Sequence, residues 1–200
     1  IRVYEWTQKN GKDVLVATGE VVSSPAMTSL APGQQQLVRI IVMQPGVRAQ
    51  EQSYRLVIDE LPDATSRAAN PNAVHFLLRY SIPVFIAGNQ DAPASHDALS
   101  CEQAEMPATL RCFNAGNRHI RLSHLEALTA DGQVVGSIKG LAGYVLPGQT
   151  TLLPLKQASR HALSTLRVYL NDDHHASQIP LRPLASRAPV LGTAHAVSPD

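Results

Sequence analysis

The sequence predicts an all-β protein made of two tandem immunoglobulin-like β-sandwich domains. Apolar and polar residues alternate with period two in many short segments, whereas the 3.6-residue period of a helix is scarce. Turn signals recur about every 8–12 residues, which is typical of a sandwich. The two halves also echo each other, because LAPGQ at 30–34 is matched by VLPGQ at 145–149, each before an apolar strand. The echo favours two similar domains over one.

The first half is predicted to hold five strands. The Asn10-Gly11 pair marks a hairpin turn between the first two, and Pro32-Gly33 marks a turn before the third. Leu61-Pro62 ends the fourth strand, and the polar loop DATSRAANPN at 63–72 leads into the fifth. The five predicted strands are Arg2–Thr7, Val14–Val22, Gln36–Val42, Ser53–Glu60 and Ala73–Ala87.

The composition changes after Ala87, where GNQDAPAS at 88–95 has the character of a linker. We therefore predict an N-terminal domain at 1–88, a linker at 89–95, a C-terminal domain at 96–187 and a loose tail at 188–200. Because the chain opens directly with a strand, we expect that preceding sequence has been removed or is not shown. The strands predicted for the second half are Thr109–Asn114, His119–Leu128, Val134–Ile138, Thr150–Leu155, Thr165–Leu170 and Ser177–Leu184.

The charge and hydropathy of the chain limit its partners. The 200 residues carry 17 Lys and Arg against 16 Asp and Glu, a formal net charge of +1, and no run of like charges occurs. This balance argues against nucleic acid or an anionic membrane as the main partner. Aromatic residues make up only 4%, which is too few for a stacking surface. The mean hydropathy of -0.08 argues against insertion into a membrane.

The two cysteines, Cys101 and Cys112, are spaced to lie on either side of a strand–turn–strand unit. We expect a disulfide, which would imply an oxidising compartment. Two free buried thiols are the alternative. Two cysteines with no neighbouring pair of histidines cannot make a four-ligand zinc site.

The sequence contains no recognisable catalytic set. It lacks the nucleophile elbow, the zinc-protease helix motif and a glycine-rich phosphate loop. The densest cluster of metal-ligating types, Asp172-Asp173-His174-His175, is predicted to be a solvated turn, since adjacent loop side chains seldom converge on one ion. Asp59 and Glu60 close a strand and point to opposite faces. We therefore predict a protein that is not an enzyme and that uses no metal and no cofactor.

Several segments resemble a known family. RVYEWTQ at 2–8, SP at 24–25, APGQ at 31–34, VRI at 38–40, DELP at 59–62 and LRYSIPVF at 78–85 occur in that order. This succession is similar to the periplasmic pilus-assembly chaperones of the chaperone–usher pathway, in particular their archaic branch. The resemblance is specific over residues 1–88 and mainly architectural beyond them.

The resemblance implies a boomerang of two immunoglobulin-like domains that acts in the periplasm. Such chaperones lend a strand to pilus subunits that lack one and deliver them to an outer-membrane usher. This role would explain AVHFLLRYSIPVFIA at 73–87, which is apolar on both faces of an extended chain. We expect Leu77 and the later apolar residues to face the chaperone's own core; a central strand covered on both faces is the alternative. The predicted donor residues are Val74, Phe76, Leu78 and Tyr80.

The family also anchors the subunit's terminal carboxylate with an Arg on the first strand and a Lys late in the donor strand. The first strand is absent here, and Pro83 stands where the Lys would be, so Arg79 is the nearest candidate anchor. Because an exposed apolar edge aggregates, we expect the free protein to shield it by self-capping or as a homodimer. Two other functions are alternatives: a structural or adhesive extracellular protein of two such domains, and a β-rich hydrolase or lectin.

Overall fold

The computed structural model describes residues 1–62, 76–88, 96–104, 109–155 and 162–182. Within these ranges the chain forms 13 strands and one 3₁₀ turn at His96–Ala98, which confirms the all-β class. The strands are β1 (Arg2–Lys9), β2 (Lys12–Ala17), β3 (Val21–Ser24), β4 (Arg39–Val42), β5 (Gln52–Asp59), β6 (Arg79–Ile86), β7 (Leu99–Gln103), β8 (Thr109–Asn114), β9 (Ile120–Leu128), β10 (Val134–Val145), β11 (Thr150–Pro154), β12 (Thr165–Leu170) and β13 (Ser177–Arg182).

The N-terminal half has two layers. One is a four-stranded antiparallel sheet in the order β2-β1-β5-β6, and the other is the two-stranded ribbon of β3 and β4. The core between them holds four buried residues, and half-buried apolar residues of β4, β5 and β6 pack around it. The four are Val3, Val21, Tyr54 and Leu56.

The first hairpin forms as predicted. Asn10 and Gly11 both have positive φ angles, 53° and 76°, as the tight turn between two twisted strands requires. The single strand predicted at 14–22 is wrong, because β2 and β3 lie in different sheets. The chain turns at Thr18–Glu20, where the Thr18 hydroxyl accepts the Glu20 N–H at 3.1 Å, and Val21 then enters the core.

The C-terminal half is a larger sandwich. Its seven strands follow the order β10-β9-β12-β13-β7-β8-β11, and the parallel pair β13 and β7 joins the two antiparallel groups. Fifteen buried residues contributed by both groups form one core. Cys101 and Cys112 face each other across β7 and β8 and are joined by a disulfide inside that core, as expected. The strand that carries Cys101 was not among the predicted ones.

The two halves touch through backbone as well as side chains. Gly11 at the β1–β2 hairpin forms a bridge with Thr151 on the edge strand β11, and its carbonyl accepts the Leu152 N–H at 2.9 Å. The Gln8 side chain donates to the Tyr144 carbonyl at 2.8 Å and accepts the Leu146 N–H at 3.0 Å. The predicted linker and tail fall outside the described residues, so the domain boundaries remain predictions.

Candidate functional site

Strand β6 is the edge of the four-stranded sheet. It pairs with β5 along its whole length, from Asp59 opposite Arg79 to Gln52 opposite Ile86. In the part of the chain that the structure describes, no strand pairs with its other side. An edge strand leaves half of its N–H and C=O groups free, and these can template pairing with another chain. The site is therefore an open strand edge.

The side chains become more exposed toward the start of this strand. Val84 and Ile86 pack against the N-terminal core, and Ile82 is already 44% exposed. Beyond them the large apolar side chains are at least 53% exposed, and the Phe76 side chain reaches 82%. The exposed residues are Phe76, Leu77, Leu78 and Tyr80. Contiguous apolar exposure of this kind marks a binding surface or an aggregation hazard.

The pairing with β5 shows which face these residues occupy. Tyr80 lies opposite Ile58 and Val84 opposite Tyr54, and Ile58, Tyr54 and Val84 all belong to the N-terminal core. Tyr80 therefore lies on the core-facing side of the sheet, beyond the region that the two-stranded layer covers. The expectation that Leu77 faces the protein's own core is wrong, since Leu77 is exposed and outside the core cluster. The core face and the exposed apolar face are one continuous surface.

Pairing with β5 extends slightly beyond the strand. The Leu78 carbonyl accepts the Glu60 N–H at 2.9 Å, and the Leu78 N–H donates to the Glu60 carboxylate at 3.1 Å. These bonds hold Leu78 in line with β6. Phe76, Leu78 and Tyr80 thus lie along one strand end, whereas Val74 falls outside the described residues.

Arg79 is engaged at the end of the strand. Its guanidinium pairs with the Asp59 carboxylate, which also accepts a hydrogen bond from Arg2 at 2.6 Å. The hydrogen bonds from Arg2 and Arg79 hold the pKa of the Asp59 carboxyl below its usual value. The Arg79 side chain points to solvent rather than to the junction of the two halves, which Phe85 contacts six residues further along.

The other end of β6 enters the junction between the halves. The Phe85 ring stacks on the His119 ring at 3.5 Å with an interplanar angle of 6°. The buried Glu51 carboxylate binds both the His119 N–H, at 2.8 Å, and the ring Nδ1, at 2.7 Å. Trp6 meets Tyr144 edge-on at 5.4 Å. One strand therefore carries an open end and an end fixed against the second half.

A half-buried cation lies beside that junction. The Arg55 guanidinium sits over the Trp6 ring at 3.6 Å, and the side chain is only 16% exposed. Burial lowers the pKa of Arg55, and its ion-pair partner, the Asp13 carboxylate, is 3.8 Å away. Arg55 lies directly opposite Pro83 in the β5–β6 pairing. Sequence reasoning missed this residue, because its position opposite Pro83 depends on the register between β5 and β6, which no local pattern gives.

The outer face of the C-terminal sheet carries an open polar cavity of about 730 Å³. Arg121 and Asp172 form an ion pair in it at 2.8 Å, and the rings of His124 and Tyr169 meet edge-on. It includes residues of the predicted turn at 172–175, and no cluster of three metal-ligating side chains occurs among the described residues. No helix in the described ranges is long and apolar enough to cross a membrane.

Comparison with known proteins identifies the fold. Residues 1–90 match the family model of the N-terminal domain of pili and flagellar-assembly chaperones. The match covers the N-terminal half of the chain, which is therefore similar to the N-terminal domain of these chaperones. Curated protein sequences give no match.

Three solved structures share the fold of this chain. The first is a pre-assembly complex of CsuC with the tip subunit CsuE, from archaic chaperone–usher Csu pili of Acinetobacter baumannii. It has 23% identity and a TM-score of 0.65, over 92% of this chain and 83% of that one. The YadV chaperone follows, with 15% identity and a TM-score of 0.59 over 90% and 84%. The Pseudomonas aeruginosa CupB2 chaperone has 19% identity and a TM-score of 0.53 over 82% and 75%.

Proposed function

We propose that this chaperone binds incompletely folded pilus subunits by lending them strand β6. The observation that carries the proposal is an apolar strand end at an open sheet edge. The free backbone groups of β6 would pair with a strand of the subunit, which gives affinity with little dependence on sequence. Phe76, Leu78 and Tyr80 would enter the subunit's groove, and Val74 would extend the same series.

Burial of these side chains would provide enough free energy to hold a subunit. Burying one large aliphatic or aromatic side chain contributes about 1.5–3 kcal/mol, so three would contribute roughly 5–9 kcal/mol before the cost of association. A structural or adhesive protein would instead cover this strand with its own domain. The 82% exposure of the Phe76 side chain disfavours that function.

The subunit's terminal carboxylate needs a cation, and two candidates follow from the site. Arg79 would have to exchange Asp59 for the subunit's carboxylate. Arg55 is held at the junction opposite Pro83, and the carboxylate it pairs with among the described residues, that of Asp13, is 3.8 Å away. We favour Arg55 as the anchor, because a partly desolvated cation gains more from a new carboxylate than a solvated one.

The cell biology of the proposal follows the family. The chaperone would act in the periplasm, where the Cys101–Cys112 disulfide is stable, and would pass its subunits to an outer-membrane usher. Another subunit's N-terminal extension would then replace β6. In the absence of a subunit, we expect a second copy of the chain or one of its own segments to cover the edge; among the described residues no segment does so.

The test is subunit capture by a charged edge. The chaperone is co-expressed with a pilus subunit that lacks its own N-terminal extension, and the complex is isolated through a tag on the chaperone. Phe76→Glu with Leu78→Glu should abolish co-purification without lowering the melting temperature, because both side chains are exposed. Leu15→Glu with Val16→Glu, on the opposite edge strand β2, is the matched control, since these residues are 44% and 48% exposed. Full capture by the Phe76/Leu78 variant contradicts the proposal.

A further inference from the structure

The apolar surface at the start of β6 continues onto neighbouring strand ends. Of the 18 large apolar side chains exposed among the described residues, eight lie at this one end of the N-terminal half. Four are the exposed residues at the start of β6 that were described above. The other four, each at least 52% exposed, lie in neighbouring loops. These four are Met27, Leu30, Leu37 and Leu61.

Hydrogen bonds place these segments at the same end. The backbone nitrogen of Ile1, at the start of β1, donates to the Ala26 carbonyl at 2.8 Å. Arg2 bridges to Asp59 at the end of β5, and Asp59 pairs with Arg79 at the start of β6. The loop at 25–38, which joins β3 to β4, therefore lies at the end of the sheet from which Phe76 projects.

The loop at 25–38 is built with its apolar side chains outward. Its polar groups satisfy one another: the Gln34 N–H donates to the Ala31 carbonyl at 3.0 Å, and the Gln34 side chain accepts the Ala31 N–H at 3.0 Å. Thr28 likewise donates to Gln36 at 3.2 Å. Met27, Leu30 and Leu37 are left in solvent, the reverse of an ordinary surface loop.

The chemistry of the loop selects its partner. Residues 25–38 contain no charged side chain. An uncharged surface of Met and Leu adapts to varied apolar partners and does not discriminate by charge. An incompletely folded subunit, whose groove is open and apolar, is the partner of that description that would already be bound at the adjoining edge.

We propose that the loop at 25–38, together with Leu61, forms a second contact that holds the uncovered apolar surface of a subunit bound on β6. This inference rests on the proposed function of β6 and extends it from a strand to a strand-and-platform contact. The strand would fix the subunit's register, and the platform would cover apolar surface beside the groove. The platform would therefore act mainly on how long the subunit stays bound.

The test is the rate at which the subunit leaves. A complex with a pilus subunit lacking its N-terminal extension is challenged with excess unlabelled chaperone, and release of labelled subunit is followed. Met27→Ser, Leu30→Ser and Leu37→Ser together should speed release about tenfold or more, because three apolar contacts are lost. The matched control is Leu15→Ser with Val16→Ser on β2, which should leave the rate unchanged.

The outcomes separate this inference from the function beneath it. If the Phe76/Leu78 variant loses the subunit while the loop variant releases it at the wild-type rate, strand lending stands and the platform is refuted. A loop variant that changes only the association of the free chaperone with itself also refutes it, since the occupant is then a second copy. A benzophenone side chain placed at position 37 provides a readout that does not depend on folding of the triple variant. Its crosslinking to the subunit supports the platform, and its failure to crosslink overturns it.

Discussion

The two halves of the chain share a fold type but differ in how much of their apolar surface they bury. Among the described residues, the C-terminal core gathers fifteen buried residues and a disulfide, whereas the N-terminal core gathers four. The N-terminal half instead leaves a row of large apolar side chains in solvent at one end. We infer that the C-terminal half is stable by itself and that the N-terminal half leaves part of its apolar surface exposed to bind a partner.

The largest expected effect compares the two cores directly. Leu122→Ala removes a fully buried side chain from the C-terminal core and should cost about 4 kcal/mol of unfolding free energy. Leu56→Ala in the N-terminal core, which is smaller and open at one end, should cost about 2 kcal/mol, because water reaches that site more readily. Urea unfolding followed by circular dichroism measures both. Equal losses would contradict the difference between the cores.

The disulfide provides the second comparison. Replacing Cys101 and Cys112 together by Ala should lower the stability of the C-terminal half by about 2–3 kcal/mol, because the unfolded chain regains loop entropy. Trp6 is the protein's single tryptophan and lies in the N-terminal half. Its fluorescence transition should therefore shift less than the circular dichroism transition. A larger shift at Trp6 would show that the halves unfold as one unit.

A third prediction concerns the joint between the halves. A Cβ on Gly11 would lie 2.3 Å from Leu152 Cγ, so Gly11→Ala should push the hairpin away from β11. Gly132→Ala is the control, because Gly132 has a similar φ of 79° and no atom within 4 Å of the added Cβ. We expect Gly11→Ala to cost about 2 kcal/mol more than the control and to separate the two unfolding transitions. Equal costs for the two variants would mean that the contact between Gly11 and β11 does not link the unfolding of the two halves.

The smallest expected effect is a loss of stability at alkaline pH, which arises in the N-terminal core. Burial and the nearby Glu20 carboxylate raise the pKa of Tyr54 to about 12 from 10.0. The neutral phenol is thus favoured in the folded state, so its contribution is complete below pH 10 and is lost as the pH rises through 12. By pH 11 the loss should be about 1 kcal/mol. Tyr54→Phe should remove this dependence; an unchanged alkaline slope in that variant would refute the assignment.

Local patterns predicted most strands but not their partners. Alternation identified β1, β5, β9 and β12 closely, since each buries one face against a core. It merged β2 with β3, because a short turn at Thr18–Glu20 moves the chain to another sheet without interrupting the apolar pattern. It also shortened β10, whose bulges carry Gly140 at a φ of 69° and break the period within a continuous strand.

The site was predicted in part for the same reason. The apolar run at 73–87 indicated the edge strand, because a segment that is apolar on both faces can be recognised from the sequence alone. The face of Leu77 was assigned wrongly, since only the pairing of Tyr80 with Ile58 shows which side meets the core. The junction of Phe85 with His119, and the placing of Arg55 opposite Pro83, depend on how distant segments pack. No local pattern encodes those contacts.

The bridge from Gly11 to β11 has a consequence for the separated halves. Strand β11 borders the seven-stranded sheet, and the Gly11 carbonyl occupies a backbone donor on its outer side. Cutting the chain between the halves would expose the outer side of β11. The C-terminal fragment would then have a second unpaired strand edge that can associate with other chains. The isolated C-terminal piece should then assemble into dimers or larger species through the exposed edge of β11, although it lacks strand β6.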